Sequence, residues 1–346
     1  MRTFSKSVKL NNVCYDVRGP VLDEAAKLEA AGASILKLNI GNPAPFGFSA
    51  PASVMESMEA GLLSAQGYSD TRGVPEAREA VAAYCLKKNI SGVSPDDVYT
   101  GNGVSELITI CMQGLLNDGD EVLIPAPDYP LWTAAVTLAG GKAVHYLCDE
   151  KSDWMPDLED MRRKISPRTK GLVVINPNNP TGALYPPEIL EKIAGLAREA
   201  GLILFADEIY DRLVMDGLSH TSIAALAPDL FVVTLNGLSK SHLVAGYRCG
   251  WMCLSGDKSG ASGYIEGLNM LASMRLCSNV PAQYAIRAAL ADENSAAPLL
   301  TPGGRIYEQR KAICSALREI EGLSLVAPKA AFYVFPKIDT ARFRIR

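Results

Sequence analysis

From about residue 95 to 255, apolar runs of strand length alternate with stretches of helical periodicity. The runs are 121–125, 142–147, 171–176, 202–207, 230–236 and 250–254, and residues 104–116, 156–165 and 187–200 between them read as helices. Runs without polar alternation, such as 202–206, fit strands buried on both faces. The pattern therefore predicts an α/β fold with a mostly parallel sheet covered by helices on both sides. Beyond Gly256, residues 263–276, 279–291 and 303–320 read as helices, the last with Ile306, Ile313, Leu317 and Ile320 on one apolar face. Strand-like runs at 323–327 and 331–335 follow, which predicts a smaller α+β domain, left incomplete where the chain stops at Arg346. The expected division is an N-terminal segment with the start of the small domain (1–48), a large α/β domain (49–276) and the rest of the small domain (277–346).

At 346 residues the chain is long for one core, which agrees with two unequal domains. A hydrophobic content of 48%, 21% charged residues and a net charge of -4 describe an ordinary globular protein. The acidic balance and the lack of a basic block argue against nucleic acid as a partner. The N-terminus lacks the apolar core of a secretion signal, and no apolar run reaches the length of a membrane span, so the cytoplasm is the expected compartment. Eight cysteines without Cys-x-x-Cys spacing read as reduced core residues, and three scattered histidines offer no metal-ligand cluster.

In open α/β sheets, ligands gather at the carboxyl ends of strands, so polar residues there carry the most weight. Lys240 stands in Asn236-Gly-Leu-Ser-Lys240 after the run 230–235, and Arg248 follows eight residues later. A lysine delivered by a buried strand can lose its proton and attack carbonyl compounds, and an arginine fork suits a phosphate dianion. Together they suggest a phosphorylated aldehyde such as pyridoxal phosphate; a surface lysine with an unrelated ion-paired arginine is the plain alternative. Asp207 ends the run 202–206 with Tyr210 three residues on, suited to a pyridine nitrogen and a ring oxygen, or else to a helix cap and a packed ring. Asn176-Pro-Asn-Asn-Pro-Thr-Gly182 is a rigid turn that can fix an amide, Asn178 or Asn179. Gly101-Asn-Gly-Val-Ser105 offers a helix N-terminus to an anion, and Pro125-Ala-Pro-Asp-Tyr-Pro130 either sets Tyr129 against a planar ring or plugs a turn.

The joint order of these motifs resembles the fold-type I, class I pyridoxal-phosphate aminotransferases, and Asn12-Val-Cys-Tyr-Asp-Val-Arg-Gly-Pro20, Leu38-Asn-Ile-Gly-Asn-Pro-Ala-Pro-Phe-Gly47 and 125–132 resemble the bacterial alanine (glutamate-pyruvate) branch. The resemblance implies that Lys240 is the Schiff-base lysine and the base at the substrate's Cα. It further implies Asp207 on the pyridinium nitrogen, Tyr210 and Asn179 on the 3-oxygen, and Tyr129 stacked on the ring. Arg248 with Gly103, Val104 and Ser105 would hold the phosphate, with help from Ser239 and from Tyr68 of a neighbouring subunit in a homodimer. Gly41, Asn179, Tyr15 and Arg18 would meet the substrate. The implied reaction moves an amino group between L-alanine and 2-oxoglutarate, so the partners are amino acids and 2-oxo acids, with no metal. In the family the small domain continues past the point where this chain ends and carries there the arginine that grips the α-carboxylate. Arg342, Arg344 and Arg346 do not match that motif. Two other readings stay open: β-elimination on the same scaffold, and a truncated chain that binds the cofactor without turnover.

Overall fold

The computed structural model describes residues 2–11, 13, 20–292 and 295–343. Its centre is an eight-stranded sheet built from β1 (Val98–Asn102), β2 (Glu121–Ala126), β3 (Lys142–Asp149), β4 (Met155–Pro156), β5 (Thr169–Ile175), β6 (Ile203–Asp207), β7 (Val232–Gly237) and β8 (Cys249–Ser255). Their order across the sheet is β1-β8-β7-β6-β5-β2-β3-β4. β3, β2, β5, β6 and β7 run parallel, whereas β8 is antiparallel to both of its neighbours and β4 is antiparallel to β3. Because β8 runs backwards, its first residue lies at the edge of the sheet where β1 and β7 end.

Alternating residues feed two cores. On β5, Leu172 and Val174 join one cluster, with Leu190 and Ile193 of the helix Pro187–Ala200. Val173 and Ile175 join the other, with Leu107 and Ile108 of the helix Val104–Leu115. This double burial is what the unbroken apolar runs predicted. The strand β1 carries Thr100, Gly101 and Asn102 in five residues, and the run pattern did not mark it. Its Thr100 is nevertheless fully buried, and the hydroxyl is satisfied by Ser278 Oγ at 2.7 Å.

Past β8 the chain forms helices Ser262–Met274, Val280–Gln283, Ala285–Ala291, Ala297–Leu300 and Arg305–Arg318. The expected helix 279–291 is thus two short ones, and Ala282, Ala285, Ile286 and Ala289 enter the first core. In Arg305–Arg318 the buried residues are Ile306 and Cys314, while Ile313 is exposed, as is Ile320 beyond the helix end. β9 (Leu323–Ser324) pairs with β10 (Lys337–Ile338). The expected strand at 331–335 is not one. Its backbone is used differently, with the Ala331 N–H donating to Leu213 O at 2.8 Å and Ala330 bridging Val214, which turns Phe332 and Tyr333 toward Tyr210. Among the described residues no helix is long and apolar enough to cross a membrane.

Candidate active site

The loops after β1, β2, β5, β6 and β7 and the start of β8 meet at one end of the sheet. β7 runs into the short helix Leu238–Ser241, which carries Lys240. The lysine is partly buried, and its Nζ donates to Gly41 O at 2.7 Å. Burial first, and then the positive charge of Arg248, lowers its pKa to about 8.

Asp207 closes β6 and is buried. Its carboxylate accepts from Trp132 Nε1 at 3.0 Å and from the Ile209 N–H at 3.4 Å, with no cation among its partners in the described residues. Burial pushes its pKa up to about 6, although both donors favour the anion. A buried carboxylate with neutral donors alone has room for a cationic N–H. One turn on, the Tyr210 hydroxyl lies 2.6 Å from that of Tyr333. The Asn176 turn contains cis Asn176-Pro177 and Asn179-Pro180 peptides, with Asn179 half-buried between them. Asn178 is buried, and its Oδ1 accepts from the Thr181 hydroxyl at 2.7 Å.

On the other side, Gly103 caps the N-terminus of the helix Val104–Leu115 with φ 80°, a conformation that favours glycine. A side chain there would also meet Arg248, since a Cβ would lie 2.3 Å from its Nη2. Arg248 sits at the turn into β8, held by Ala245 O at 2.8 Å and Asn102 O at 3.2 Å, and its side chain remains exposed. Beneath them Gly250 pairs with Gly101 on one side and Gly237 on the other. A Cβ on Gly250 would lie 2.7 Å from Val104 N, so the helix start rests directly on bare backbone. The arrangement aims unpaired helix N–H groups and a guanidinium at one spot, as an anion requires.

Ser239 is buried beside Lys240, Ser105 lies half-buried in the first turn of its helix, and Tyr129 is half-buried before Trp132. Tyr68 is not packed among these residues and stands 81% exposed. Tyr15 and Arg18 lie outside the described residues.

These features have known counterparts. Residues 33–344 match the family model for class I and II aminotransferases. The chain belongs to the class I and II aminotransferase family. It is 59% identical to the glutamate-pyruvate aminotransferase AlaA of Escherichia coli K12 over 345 residues, which is 100% of this chain and 85% of that protein. A crystal structure of an Escherichia coli aminotransferase matches with a TM-score of 0.98 at 58% identity, covering 99% of this chain and 85% of that one. The Pyrococcus furiosus alanine aminotransferase matches with a TM-score of 0.93 at 38% identity, covering 98% and 86%. The fold of this aminotransferase is fold-type I, and the family's cofactor is pyridoxal phosphate. The lysine, the carboxylate without a cation and the glycine-floored anion cradle fit that group.

This end of the aminotransferase also holds side chains in contact with the candidate residues that the motifs did not disclose. Trp132 lies at the start of a helix, three residues after Tyr129, and that spacing could have marked it. Phe332 and Tyr333 sit in an aromatic run that read as a strand. Behind the site, Lys88 Nζ is 2.7 Å from Asp211 Oδ2, 2.8 Å from His220 Nδ1 and 3.5 Å from Glu208 Oε2. Glu208, Asp211 and His220 are close enough together to hold a cation, and the Lys88 ammonium takes that place. Burial, outweighed by the carboxylates, leaves the Lys88 pKa above its usual range, while burial first and Lys88 second lower that of His220 to about 3. His220 Nε2 in turn contacts Asn176 O at 3.1 Å, so the cluster ties the β6 turn to the asparagine turn.

Proposed function

We propose that this aminotransferase moves the amino group of L-alanine to 2-oxoglutarate, giving pyruvate and L-glutamate, reversibly. The observation that carries the reading is the convergence of Lys240, Asp207 and Arg248 on one end of the sheet, in a chain 59% identical to a glutamate-pyruvate aminotransferase. Pyridoxal phosphate, when bound, supplies a carbonyl for amino groups and a ring that accepts the electron pair left at Cα. Lys240 Nζ would hold it, and the same nitrogen, once free, is placed to take the proton from the substrate's Cα. A pKa of about 8 suits both tasks, since roughly a tenth of the amine is neutral at pH 7, against well under a thousandth for an ordinary lysine.

Asp207 would keep the ring nitrogen protonated, and the Trp132 N–H holds the carboxylate in place. Tyr210 and Asn179 would donate to the 3-oxygen, and Tyr129 would cover one ring face. Arg248, with the N–H groups of Gly103, Val104 and Ser105 and the hydroxyls of Ser105 and Ser239, would bind the phosphate. Gly41, beside Lys240 Nζ, would meet the substrate with Asn179, and the resemblance adds Tyr15 and Arg18.

We infer a homodimer in which Tyr68 reaches the partner's phosphate. The support is a set of exposed apolar residues: Leu63 at 82% and Tyr68 at 81% on one stretch, Met270 at 62% and Met274 at 79% on the helix Ser262–Met274. The seven described cysteines are unpaired, which agrees with work in the cytoplasm.

The test is the absorbance of the cofactor-loaded protein before and after L-alanine. The expected result is loss of the visible band with release of pyruvate, and its return with 2-oxoglutarate as glutamate forms. In Lys240→Ala both are expected to vanish. A band that alanine leaves intact and another amino acid discharges would overturn the substrate assignment, and turnover that survives in Lys240→Ala would overturn the role of the lysine.

A further inference from the structure

The turn at 330–333 reaches across from the C-terminal part of the chain and ends on the residues that face the cofactor. Ala331 is fully buried, with its N–H bonded to Leu213 O at 2.8 Å. This anchor sets Phe332 and Tyr333 edge-on to the Tyr210 ring, with centroids 5.8 and 5.6 Å away at 81° and 77°. The Tyr333 hydroxyl is 2.6 Å from the Tyr210 hydroxyl, a full hydrogen bond between two phenols. It also presses on Gly41: a Cβ there would lie 2.3 Å from Tyr333 Oη. The carbonyl of that same glycine receives Lys240 Nζ at 2.7 Å. Tyr333 therefore touches both the phenol and the backbone that flank the reactive amine.

A phenol has one proton and can accept another hydrogen bond. Burial keeps both hydroxyls protonated, raising Tyr210 well above its ordinary range and raising Tyr333 as well. If Tyr210 spends its proton on Tyr333, none remains for a ligand. If Tyr333 donates instead, the Tyr210 proton is free to point into the site and is polarised by the bond it accepts.

We propose that Tyr333 is a positioning residue of the transamination site: its hydroxyl donates to Tyr210 and so commits the single Tyr210 proton to the 3-oxygen of pyridoxal phosphate. The inference rests on the reading of Tyr210 given under Proposed function and adds a second phenol behind it. The chain of donors runs from Tyr333 Oη to Tyr210 Oη to the 3-oxygen.

The test reads the midpoint of the pH-dependent change in visible absorption of the cofactor-loaded protein, which follows the proton shared between the Lys240 nitrogen and the 3-oxygen. A donor on that oxygen favours the deprotonated form, where the oxygen carries more negative charge, so losing the donor raises the midpoint. Tyr210→Phe is expected to raise it by about one unit, roughly a tenfold change in proton binding, and Tyr333→Phe by about 0.3 to 0.5 unit, roughly two- to threefold. In a Tyr210→Phe background, Tyr333→Phe is expected to add nothing. A Tyr333→Phe midpoint equal to that of the unaltered protein, or a shift undiminished in the Tyr210→Phe background, overturns the proposal. A midpoint that Tyr210→Phe leaves unmoved overturns the reading of Tyr210, and the proposal falls with it. Tyr333→Phe keeps the ring and its edge-on packing; 3-fluorotyrosine at position 333, a stronger donor that keeps the hydroxyl, gives a second arm. It is expected to lower the midpoint, and a rise would likewise overturn the proposal.

Discussion

Lys240 meets two influences that act in one direction. Burial removes water from its ammonium, and the guanidinium of Arg248 repels it, so its pKa falls to about 8 from the ordinary 10.5. The neutral amine is the nucleophile, so capture of an aldehyde is expected to accelerate with pH and level off above about 8. Stopped-flow mixing with pyridoxal, which lacks the phosphate, measures this without engaging the phosphate contact of Arg248. In Arg248→Gln one of the two influences is gone, and the plateau is expected at higher pH. A plateau that stays in place in the variant would leave burial as the sole cause. Lys240, Asp207 and Arg248 were legible in the sequence because each borders an apolar run, and a strand end is where an α/β sheet exposes chemistry. Tyr333 was not legible, because its partner Tyr210 lies 123 residues away and nothing local announces the pairing.

At the level of elements, the turn after β6 packs three carboxylates, Asp207, Glu208 and Asp211, into five buried or half-buried positions. Only the first faces the cofactor in our reading. The other two are balanced by Lys88, which follows the helix Pro75–Lys87, and by the hydroxyls of Ser222, 2.5 Å from Glu208 Oε1, and of Tyr84, which donates to Asp211. Asp211 is held well below the usual carboxylate range: burial raises it, and Lys88 more than reverses that. Its contribution to stability is therefore full above its unfolded pKa of about 4 and is lost as pH falls toward the native value. Lys88→Met leaves that charge buried without its partner and is expected to cost about 3 to 5 kcal/mol in urea unfolding near pH 7. Replacing both, Lys88→Met with Asp211→Asn, is expected to recover a large part of the loss. Without its lysine, burial alone raises Asp211 above its ordinary value, so the variant takes up that proton earlier and the loss should begin to shrink as pH falls from neutral, before about pH 4 is reached. Equal losses in the single and double variants would refute an ion-pair origin. The run 331–335 is instructive at this level too. Its apolar content suggested a strand, but the Ala331 N–H goes to Leu213, and a backbone donor can serve only one ladder.

For the whole molecule, a sheet buried on both faces leaves its carboxyl edge as the place where loops from distant strands meet. The reversed strand β8 lets Arg248 approach that edge from the far side of the chain. Sedimentation velocity is expected to show a species of two chains. Removing apolar surface with Leu63→Asp and Met274→Asp is expected to shift it toward one chain and to weaken cofactor retention, as Tyr68 then loses its target. A single-chain species in the unaltered protein would end the homodimer reading. The glycine row Gly101, Gly250 and Gly237 bears on this same edge in another way. With the helix start seated on the bare backbone of Gly250, whose other face lies on the strand that leads to Lys240, the spacing between lysine and cradle depends on that glycine, and the site acts as a gauge for the length of its ligand. Gly250→Ala, whose Cβ would stand 2.7 Å from Val104 N, lifts one jaw of that gauge. It is expected to weaken pyridoxal phosphate about tenfold, the equivalent of a modest overpacking strain, while leaving pyridoxal unaffected. A cofactor analogue with one extra methylene before its phosphate should then fit the variant better than the parent, a reversal that equilibrium dialysis can read directly.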